Sequence, residues 1–308
     1  MYSEDYNLYK IFVVLYEEMS VSKAAEKLFV SQPAISYNLK ELESNIGYKL
    51  FNRTPKGIKP TAEANLLYKY IVSGLNIIDE GRMRIRELAS LEDGIIKIGT
   101  PSHVGIFYVS KIIKIFKSLY PNIRIEIYSK STKKLIELFE TRKINIIIDM
   151  LPIKIKDNVT KEIVSESSFC FAYSKKYFQK GIIKKEKDLS KYPLILQETN
   201  SSYKRNIIEF LQIKGVNVIP TISSWTSEMT MQLVREGLGI GYFLKDIIEV
   251  QPDKDDYEII TFNNSLPKIS ICAVYNNEII SPAEKEFIRI MKEKKGDING
   301  NKWSNIPR

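Results

Sequence analysis

The apolar residues in the first sixty positions recur at the three- and four-residue spacing of amphipathic helices. Three short helices are predicted, the first over about Leu8–Met19 and the third ending at Gly47, a residue suited to a left-handed C-cap. Ser20 or Ser22 is a candidate N-cap for the second helix. The predicted inward positions are Leu8, Ile11, Phe12 and Leu15, then Ala24, Ala25 and Leu28, then Ile35, Leu39, Leu42 and Ile46.

The stretch VSQPAIS indicates where the third helix begins. Ser31 is a suitable N-cap, and Pro33 falls in the first turn, where a missing amide hydrogen breaks no intrahelical bond. The apolar pair Phe29-Val30 forms the turn that precedes it. The pattern predicts a helix–turn–helix, a motif whose second helix enters the major groove of DNA with its N-terminal residues.

The outward face of the third helix carries side chains that suit DNA. Gln32 can pair with an adenine edge, Ser36 can contact a base or phosphate, and Lys40 can contact a phosphate. The following segment LFNRTPKGIKPT predicts a hairpin with Gly57 in its turn and basic residues along the DNA backbone. The predicted DNA-binding residues are Ser22, Ser31, Gln32, Pro33, Ser36, Tyr37, Lys40, Arg53 and Lys56. The alternative, a three-helix packing module with a polar outer face, does not explain the small residues of the second helix or the basic hairpin.

A long helix is predicted next, because residues 62–89 contain no proline and carry a heptad pattern. Its predicted seam consists of Leu67, Ile71, Gly74, Ile78, Gly81, Ile85 and Leu88. Each glycine inside a helix costs about 1 kcal/mol relative to alanine, so close approach of a second helix is a plausible compensation. The seam predicts dimerisation, and the alternative is a single helix packed on its own domain.

From about Gly94 strands alternate with helices, which predicts two α/β lobes. The first contains IIKIGT, NIRIEIYS and INIIIDM as strands, and its first helix has inward positions at Ile106, Val109, Ile112, Ile113 and Phe116. The second contains SFCFAYS, PLILQ, VNVIPTI and GLGIGYF, with helices near 203–213 and 227–236. DYEIITF and KISICAVY are later strands, and a capping box at Ser281 and Glu284 opens a final helix.

Ligands of open α/β sheets bind at the carboxyl ends of the strands. The predicted effector-binding residues are therefore Thr100, Ser102, His103, Ser129, Lys130, Asp149, Gln197, Thr199, Ser201, Trp225, Thr226 and Ser227. Thr100 or Ser102 is expected to cap the next helix, whose N-terminus favours an anion, so a small organic acid is the predicted ligand. The alternative for each hydroxyl is a helix cap without a ligand, and for His103 a structural role.

Composition narrows the class of protein. The net charge is +9, yet the excess lies mostly beyond Pro60 in runs such as KKEKDLSK that suit a solvated surface, so charge alone does not identify a DNA-binding protein. Cys170 and Cys272 lie in apolar strand contexts and, with one histidine, argue against a structural zinc site. The chain shows no GxSxG motif or phosphate-binding loop, which argues against an enzyme. No cofactor, secretion signal or membrane segment is predicted, and the expected location is the cytoplasm.

The segment from Leu8 to Thr61 resembles the DNA-binding domain of LysR-type transcriptional regulators through AAEKL, VSQPAIS, LKELE, IGYKLFNR and PT before a long helix. The resemblance implies that Gln32, Pro33 and Ser36 lie in the major groove with Arg53 in the wing, that the long helix forms an antiparallel dimer, and that effector domains complete a tetramer. Two positions depart from the family pattern. Tyr37 stands where many relatives have a longer polar or basic residue, and Ala64 stands where a glycine is common. Residues 94–294 resemble, more loosely, a periplasmic-binding-protein-like effector domain, best at GLGIGYF after LVRE.

The predicted fold is α+β and multi-domain, with a winged helix-turn-helix (1–61), a linker helix (62–90), an effector-binding domain of two α/β lobes (91–295) and a flexible tail (296–308). The predicted function is sequence-specific transcriptional regulation of double-stranded DNA, modulated by a small, anionic effector between the lobes, in a homodimer or homotetramer. The alternative is a ligand-independent architectural protein that uses the α/β region only for oligomerisation. Stabilisation by a small acid, abolished by substitution of Ser102 or Thr226, distinguishes the two.

Overall fold

The computed structural model of the protein describes residues 5–54, 57–87, 94–155, 158–197, 202–216, 219–262 and 266–294. They form two compact units, one within Met1–Ala89 together with Glu137–Ile144, the other within Ser90–Ile136 and Asn145–Arg308. The predicted tail at 296–308 lies outside the described residues, and the predicted domain boundaries stay predictions.

The first unit is a three-helix arrangement followed by a hairpin and a long helix. Its elements are α1 (Tyr6–Glu18), α2 (Val21–Leu28), α3 (Gln32–Ile46), β1 (Phe51–Thr54), β2 (Gly57–Pro60) and α4 (Ala62–Glu87). The predicted inward residues form its core, where Leu8, Phe12, Leu15, Ala24, Ala25, Ile35 and Leu42 are buried together with Leu50, Phe51 and Ala64. Ile11, Leu28, Leu39 and Ile46 are partly buried against this core.

Side-chain caps fix where the helices begin. The Ser20 hydroxyl accepts the amide of Lys23 at 3.4 Å and the Ser31 hydroxyl accepts the amide of Ala34 at 3.3 Å. Ser20 is therefore the N-cap of α2, and Ser22 is an exposed residue in the first turn of that helix. Helix α3 ends at Gly47, whose φ of 79° is the left-handed conformation that the sequence predicts.

Helix α4 begins on the surface of α1. The Thr61 hydroxyl accepts the amide of Ala64 at 3.2 Å, which caps the helix. The rings of Tyr16 and Tyr68 stack with centroids 4.0 Å apart, an arrangement worth about 1 kcal/mol beyond the buried area. The Tyr68 hydroxyl also donates to Oε1 of Glu17 at 2.9 Å. These contacts hold the N-terminal part of α4 against α1.

The predicted seam of α4 is wrong at its N-terminal end. Leu67 and Ile71 pack against the core of their own unit, so they are not free to meet a second helix. The apolar side chains left exposed are Leu66, Tyr70, Ile77 and Ile78. With Gly74 and Gly81, three of these residues, Leu66, Tyr70 and Ile77, line one face at steps of four, four, three and four. Leu88 lies outside the described residues.

The remaining elements alternate strands and helices. They are β3 (Ile95–Thr100), α5 (Ser102–Val104), a π-helical segment (Gly105–Val109), α6 (Ser110–Leu119), β4 (Arg124–Ser129), α7 (Thr132–Glu140), β5 (Ile146–Met150), β6 (Thr160–Ser174), β7 (Leu194–Gln197), α8 (Ser202–Ile213), β8 (Ile222–Ser224), α9 (Ser227–Arg235), β9 (Ile240–Leu244), α10 (Lys245–Glu249), β10 (Tyr257–Ile260), β11 (Lys268–Tyr275) and α11 (Pro282–Glu293). Short 3₁₀ helices occur at Glu186–Lys191 and Lys254–Asp256. The predicted capping box of the last helix is present, since Ser281 and Glu284 each bond the other's backbone amide.

The strands form two lobes joined through β6. In the first lobe β3 lies parallel to β4 and β5, and β11 runs antiparallel between β5 and β6. In the second lobe β7 lies parallel to β8 and β9, while β6 pairs antiparallel with β9 and β10. The strands connected by helices are parallel within each lobe, whereas β6, β10 and β11 are antiparallel and complete the two sheets.

Two local predictions are wrong, and one predicted strand is longer than expected. The strand predicted as SFCFAYS is the second half of a strand that begins at Thr160. The strand predicted in VNVIPTI is Ile222–Ser224 instead, and Val218 lies outside the described residues. Ile106 is 45% exposed rather than inward, because the helix that contains it passes through the π-helical segment, which changes the side-chain period.

The two glycines of GLG are required by packing. Gly237 has a φ of 75°, and a Cβ there would lie 2.3 Å from the ring of Tyr177. At Gly239 a Cβ would lie 2.4 Å from the carbonyl oxygen of Pro193, a backbone atom of the neighbouring chain segment. Gly239 therefore allows close approach to the residue before β7, and Gly237 leaves room for Tyr177, which accounts for the motif without a phosphate ligand.

We expect Gly239→Ala to lower the free energy of unfolding by about 3 kcal/mol or more, because a backbone oxygen must move. Denaturant unfolding of the full chain measures the change. Gly181→Ala is the matched control, since its φ of 77° strains any L residue but no atom lies within 4 Å of the added Cβ. A loss at Gly239 no larger than the loss at Gly181 contradicts the packing argument.

Candidate nucleic-acid interface and ligand cavity

The predicted DNA-reading residues lie on the face of α3 opposite its buried side. Gln32, Pro33, Tyr37 and Lys40 are exposed, and Ser36 is half-buried. Because Ile35 and Leu42 hold the other face in the core, the N-terminal turns of α3 present an unobstructed polar surface within this unit. Ser31 is exposed as well, and its hydroxyl oxygen is occupied by the cap of the helix.

A carboxylate that sequence reasoning missed positions the hairpin beside α3. Oε1 of Glu43 accepts the amide hydrogens of Leu50 at 2.7 Å and of Phe51 at 3.3 Å. The hairpin then pairs β1 with β2 in antiparallel register, with Arg53 opposite Ile58. Arg53 thus lies in the predicted wing, but its side chain and the whole of Lys56 lie outside the described part of the chain.

In the first lobe the predicted effector residues lie at the ends of adjacent strands. Thr100 pairs in register with Ser129, which places the ends of β3 and β4 side by side. Ser102, Ser129 and Lys130 are exposed. The predicted helix cap is wrong, because α5 has Pro101 at its N-cap with no side-chain hydrogen bond. The Thr100 hydroxyl is buried and donates to the Pro101 carbonyl at 3.3 Å.

Asp149 is a buried structural carboxylate at the end of β5. Its Oδ2 accepts the Thr132 hydroxyl at 2.6 Å and its Oδ1 accepts the Met150 amide at 2.7 Å. Burial raises the pKa of Asp149 to about 6, although both hydrogen bonds act in the opposite direction. The two bonds connect β5 to α7, so they account for this residue without a ligand.

In the second lobe the predicted residues gather at the start of α9. Gln197, at the end of β7, donates from Nε2 to the Ser227 hydroxyl at 2.6 Å, and both side chains are buried. The Thr226 hydroxyl accepts the Met229 amide at 3.1 Å and caps α9, which is the alternative role considered for the predicted hydroxyls. Trp225 is 78% exposed. Thr199 and Ser201 lie outside the described residues.

A cavity of about 370 Å³ opens between the two lobes. His103 and Ile106 come from the first lobe, and the remaining lining residues come from α9, α10 and the turn after α10. The lining consists of His103, Ile106, Ser227, Glu228, Met231, Gln232, Arg235, Ile247 and Gln251. Of the predicted effector residues, His103 and Ser227 line this cavity. The remaining lining residues were not predicted because they do not follow strand ends, and only those on α9 are related to one another by helical spacing.

His103 has a buried polar atom that lacks a partner. Within the described residues no hydrogen bond reaches its Nε2, although this atom is shielded from solvent. Burial lowers the pKa of His103 to about 4, and the nearby carboxylate of Glu228 opposes the shift only partly. The imidazole is therefore neutral near pH 7, and it brings no positive charge to the cavity.

The guanidinium of Arg235 is committed to neighbouring side chains. Its Nε and Nη2 donate to the Asp253 carboxylate at 2.8 and 3.1 Å, and its Nη1 donates to Oε1 of Gln232 at 3.0 Å. Nε also lies 3.1 Å from the Tyr257 hydroxyl. These bonds raise the pKa of Arg235 and lower that of Asp253. Arg235 thus holds α9 to the segment before β10.

Other chemistry is not evident in the parts of the chain that the structure describes. They hold no cluster of three or more His, Cys, Asp or Glu residues that suits a metal ion. Cys170 and Cys272 are buried free thiols, and burial raises the pKa of both. Among the helices in the described ranges, none has the length and apolar composition to cross a membrane.

A helix-turn-helix unit joined to a two-lobed α/β domain with a cavity defines a ligand-responsive DNA-binding protein. Two family models match the chain, "LysR substrate binding domain" over residues 89–296 and "Bacterial regulatory helix-turn-helix protein, lysR family" over residues 6–65. The chain therefore belongs to the LysR family of DNA-binding transcriptional regulators, and its α/β unit is the effector-binding domain of that family. The predicted family, fold class and regulatory function are confirmed.

Individual relatives agree with this assignment. The chain is 30% identical over 268 residues to a probable RuBisCO transcriptional regulator of Thalassiosira pseudonana, covering 83% of this chain and 86% of the relative. It is 32% identical over 136 residues to the regulator BenM of Acinetobacter baylyi, covering 44% of each. Its fold is similar to that of full-length CbnR in a complex with its target DNA, with a TM-score of 0.74, 16% identity and coverage of 94% of this chain and 99% of CbnR.

We expect the imidazole of His103 to titrate near pH 4, because burial disfavours its charged form. His103 is the sole histidine of the chain, so ¹³C-labelled histidine gives one ring signal whose shift against pH measures the pKa directly. The same signal in urea is the control and is expected near 6.5. Since the folded pKa lies below the unfolded value, this group's contribution to stability is lost as pH falls from about 6.5 towards 4. A folded-state titration near 6.5 contradicts the buried, neutral imidazole.

Proposed function

We propose that this regulator reads its operator through the exposed N-terminal turns of α3. The observation that carries the proposal is the division of α3 into a buried face, with Ile35 and Leu42, and an exposed polar face, with Gln32, Tyr37 and Lys40. Glutamine can bond an adenine edge with both ends of its amide, whereas the contact predicted for Lys40 is to a phosphate, which carries no sequence information. Gln32 is therefore the proposed specificity residue and Lys40 a positioning residue.

The hairpin supplies the proposed contacts to the DNA backbone. Lys59 is exposed on β2 opposite Asn52, and Arg53 lies on the paired strand. The bonds from Glu43 to the start of β1 hold this hairpin at a fixed distance from α3. A rigid spacing of this kind supports simultaneous occupancy of the groove and the neighbouring phosphates.

We further propose a homodimer through α4, assembled into a homotetramer by the effector-binding domains. The exposed seam of Leu66, Tyr70, Gly74, Ile77 and Gly81 supports the dimer, because apolar side chains and small residues at helical spacing suit close helix packing. Two reading units on one duplex also fit the geometry of helix-turn-helix dimers. The tetramer is supported only by resemblance to the family.

The effector is proposed to bind between the two lobes and to change their relative geometry. The cavity supports this, since His103 and Ile106 belong to one lobe and α9 to the other. A ligand shifts the equilibrium between two geometries only if it binds them unequally, and contacts to both lobes provide that difference. We propose that the protein acts in the cytoplasm, where its DNA lies, and that it catalyses no reaction, in keeping with relatives described as regulators.

We expect Gln32→Ala to remove most of the preference for the operator, which is of order 10³ or more for a specific reader. Fluorescence anisotropy at fixed salt compares the duplex upstream of the protein's own gene and neighbouring genes with a scrambled duplex. Affinity for the scrambled duplex is expected to change little, because that binding depends on phosphates.

Lys40→Ala is the matched control for the Gln32 experiment. It is expected to weaken binding to both duplexes to a similar degree. It should also reduce the slope of log affinity against log salt concentration by about 1, as loss of one phosphate contact predicts. If Gln32→Ala behaves like Lys40→Ala, Gln32 does not read bases. If no duplex is bound at low salt by the wild type, the α3 reading surface itself is wrong.

We expect the double variant Leu66→Glu/Tyr70→Glu to raise the dimer dissociation constant by about 100-fold or more, because two buried contacts are replaced by charges. Sedimentation equilibrium measures the change. Both side chains are exposed in the single chain, so the fold should persist, and circular dichroism checks this. Asp79→Lys, a charge change at an exposed residue on the opposite side of the helix, should leave the dimer intact. Unchanged association in the double variant rules out this face as the dimer interface.

A further inference from the structure

We propose that the cavity between α5 and α9 binds a small molecule carrying an amine, or a similar group of N–H donors, on a compact apolar body. This inference rests on the proposed regulatory function and specifies the class of effector. It differs from the organic acid that the strand-end residues predict. The proposal follows from the charges, the uncommitted hydrogen-bonding groups and the apolar wall of the cavity.

The charge left unbalanced at the cavity is negative. Glu228 lines the cavity, is exposed, and has no ion-pair partner within the described residues. Arg235 is the cationic side chain of the lining, and its charge is compensated by the two bonds to Asp253. His103 is neutral at physiological pH. A carboxylate ligand would therefore meet a carboxylate without a free cation, whereas an ammonium group would be attracted.

The lining offers hydrogen-bond acceptors to a ligand at Glu228 and Gln251. Nε2 of His103 has no partner and accepts a hydrogen bond in one of its two neutral tautomers. Gln251 already donates from Nε2 to the Ile247 carbonyl at 3.0 Å, which leaves its carbonyl oxygen. Both ends of Gln232 are used, by Arg235 and Glu236. A ligand that supplies N–H donors can pair with the carboxylate of Glu228 and the carbonyl oxygen of Gln251.

The rest of the lining and the cavity size suit a compact apolar body. Ile106, Met231 and Ile247 contribute apolar surface from three different elements. The volume of about 370 Å³ falls at the lower end of the range for small-molecule sites, roughly 300–1,000 Å³. The orphaned nitrogen gives a specific reason for a ligand, because buried polar atoms without partners are rare in native proteins.

The test compares two probes with the same skeleton, phenethylamine and 3-phenylpropionate, at concentrations up to about 20 mM, which suits fragment-sized ligands. The full chain carries ¹³C-labelled histidine, so its sole imidazole reports binding at this cavity. We expect phenethylamine to shift the signal saturably and 3-phenylpropionate to leave it unchanged. Calorimetry supplies the dissociation constant for each variant.

Glu228→Gln is expected to raise the dissociation constant of phenethylamine about fivefold or more, because a partly exposed charge pair is lost. Glu209→Gln is the matched control, since this exposed carboxylate on α8 does not line the cavity and should leave the affinity unchanged. Equal weakening in both variants means general attraction to a negative surface and overturns the proposal. So does a signal that follows 3-phenylpropionate, or one that responds to neither probe.

Fluorescence anisotropy on operator DNA tests whether ligand binding at the cavity changes DNA binding. Saturable binding of phenethylamine with unchanged DNA affinity and footprint retains the ligand site but removes its role in regulation. If the unliganded wild type shows no preference for operator over scrambled duplex, the proposed DNA-reading function is contradicted. Ligand binding detected by the histidine signal is not affected by that outcome. The two failures are thus distinguished by different signals on the same protein.

Discussion

Backbone hydrogen bonding by a single strand, β6, unites the effector-binding domain. Its first half, Thr160–Ser168, pairs with β11 in one lobe, and its second half pairs with β9 and β10 in the other. The register of the β11 pair shifts beside Val164, a bulge of the kind that bends a strand. Since side chains from Phe169 to Tyr173 are buried, β6 cannot slip without exposing the core. Because one strand belongs to both sheets, a change in the angle between the lobes must bend or twist β6.

The features predicted correctly are those that local physics decides. The Ser31 cap, the first-turn Pro33 and the left-handed Gly47 each act within four residues of themselves, so the helix-turn-helix can be located from spacing alone. Parallel order in each lobe follows because strands separated by a helix have little alternative. The residues that determine these features lie within short windows of sequence, and long-range packing only reinforces the result.

The features that were not predicted depend on contacts between residues that are distant in the sequence. Whether an apolar stripe on α4 faces its own unit or a partner is not decided by periodicity, and Leu67 and Ile71 lie inward because the core of α1–α3 is there. The bonds from Glu43 to Leu50 and from Arg235 to Asp253 join residues seven and eighteen positions apart. Single-sequence patterns carry no signal for such pairs, and so the wing anchor and the committed arginine were not foreseen.

The failed prediction at Ile106 and the presence of the cavity have one cause. Regular α-helical spacing through 106, 109, 112 and 116 would turn Ile106 towards the core with Val109 and Ile112. The π-helical segment Gly105–Val109 adds a residue to one turn, which keeps Val109 buried and leaves Ile106 exposed at the cavity. His103, the residue with the orphaned nitrogen, lies two residues before this segment. Single π-helical turns occur often at functional sites, and this one places Ile106 in the wall of the cavity.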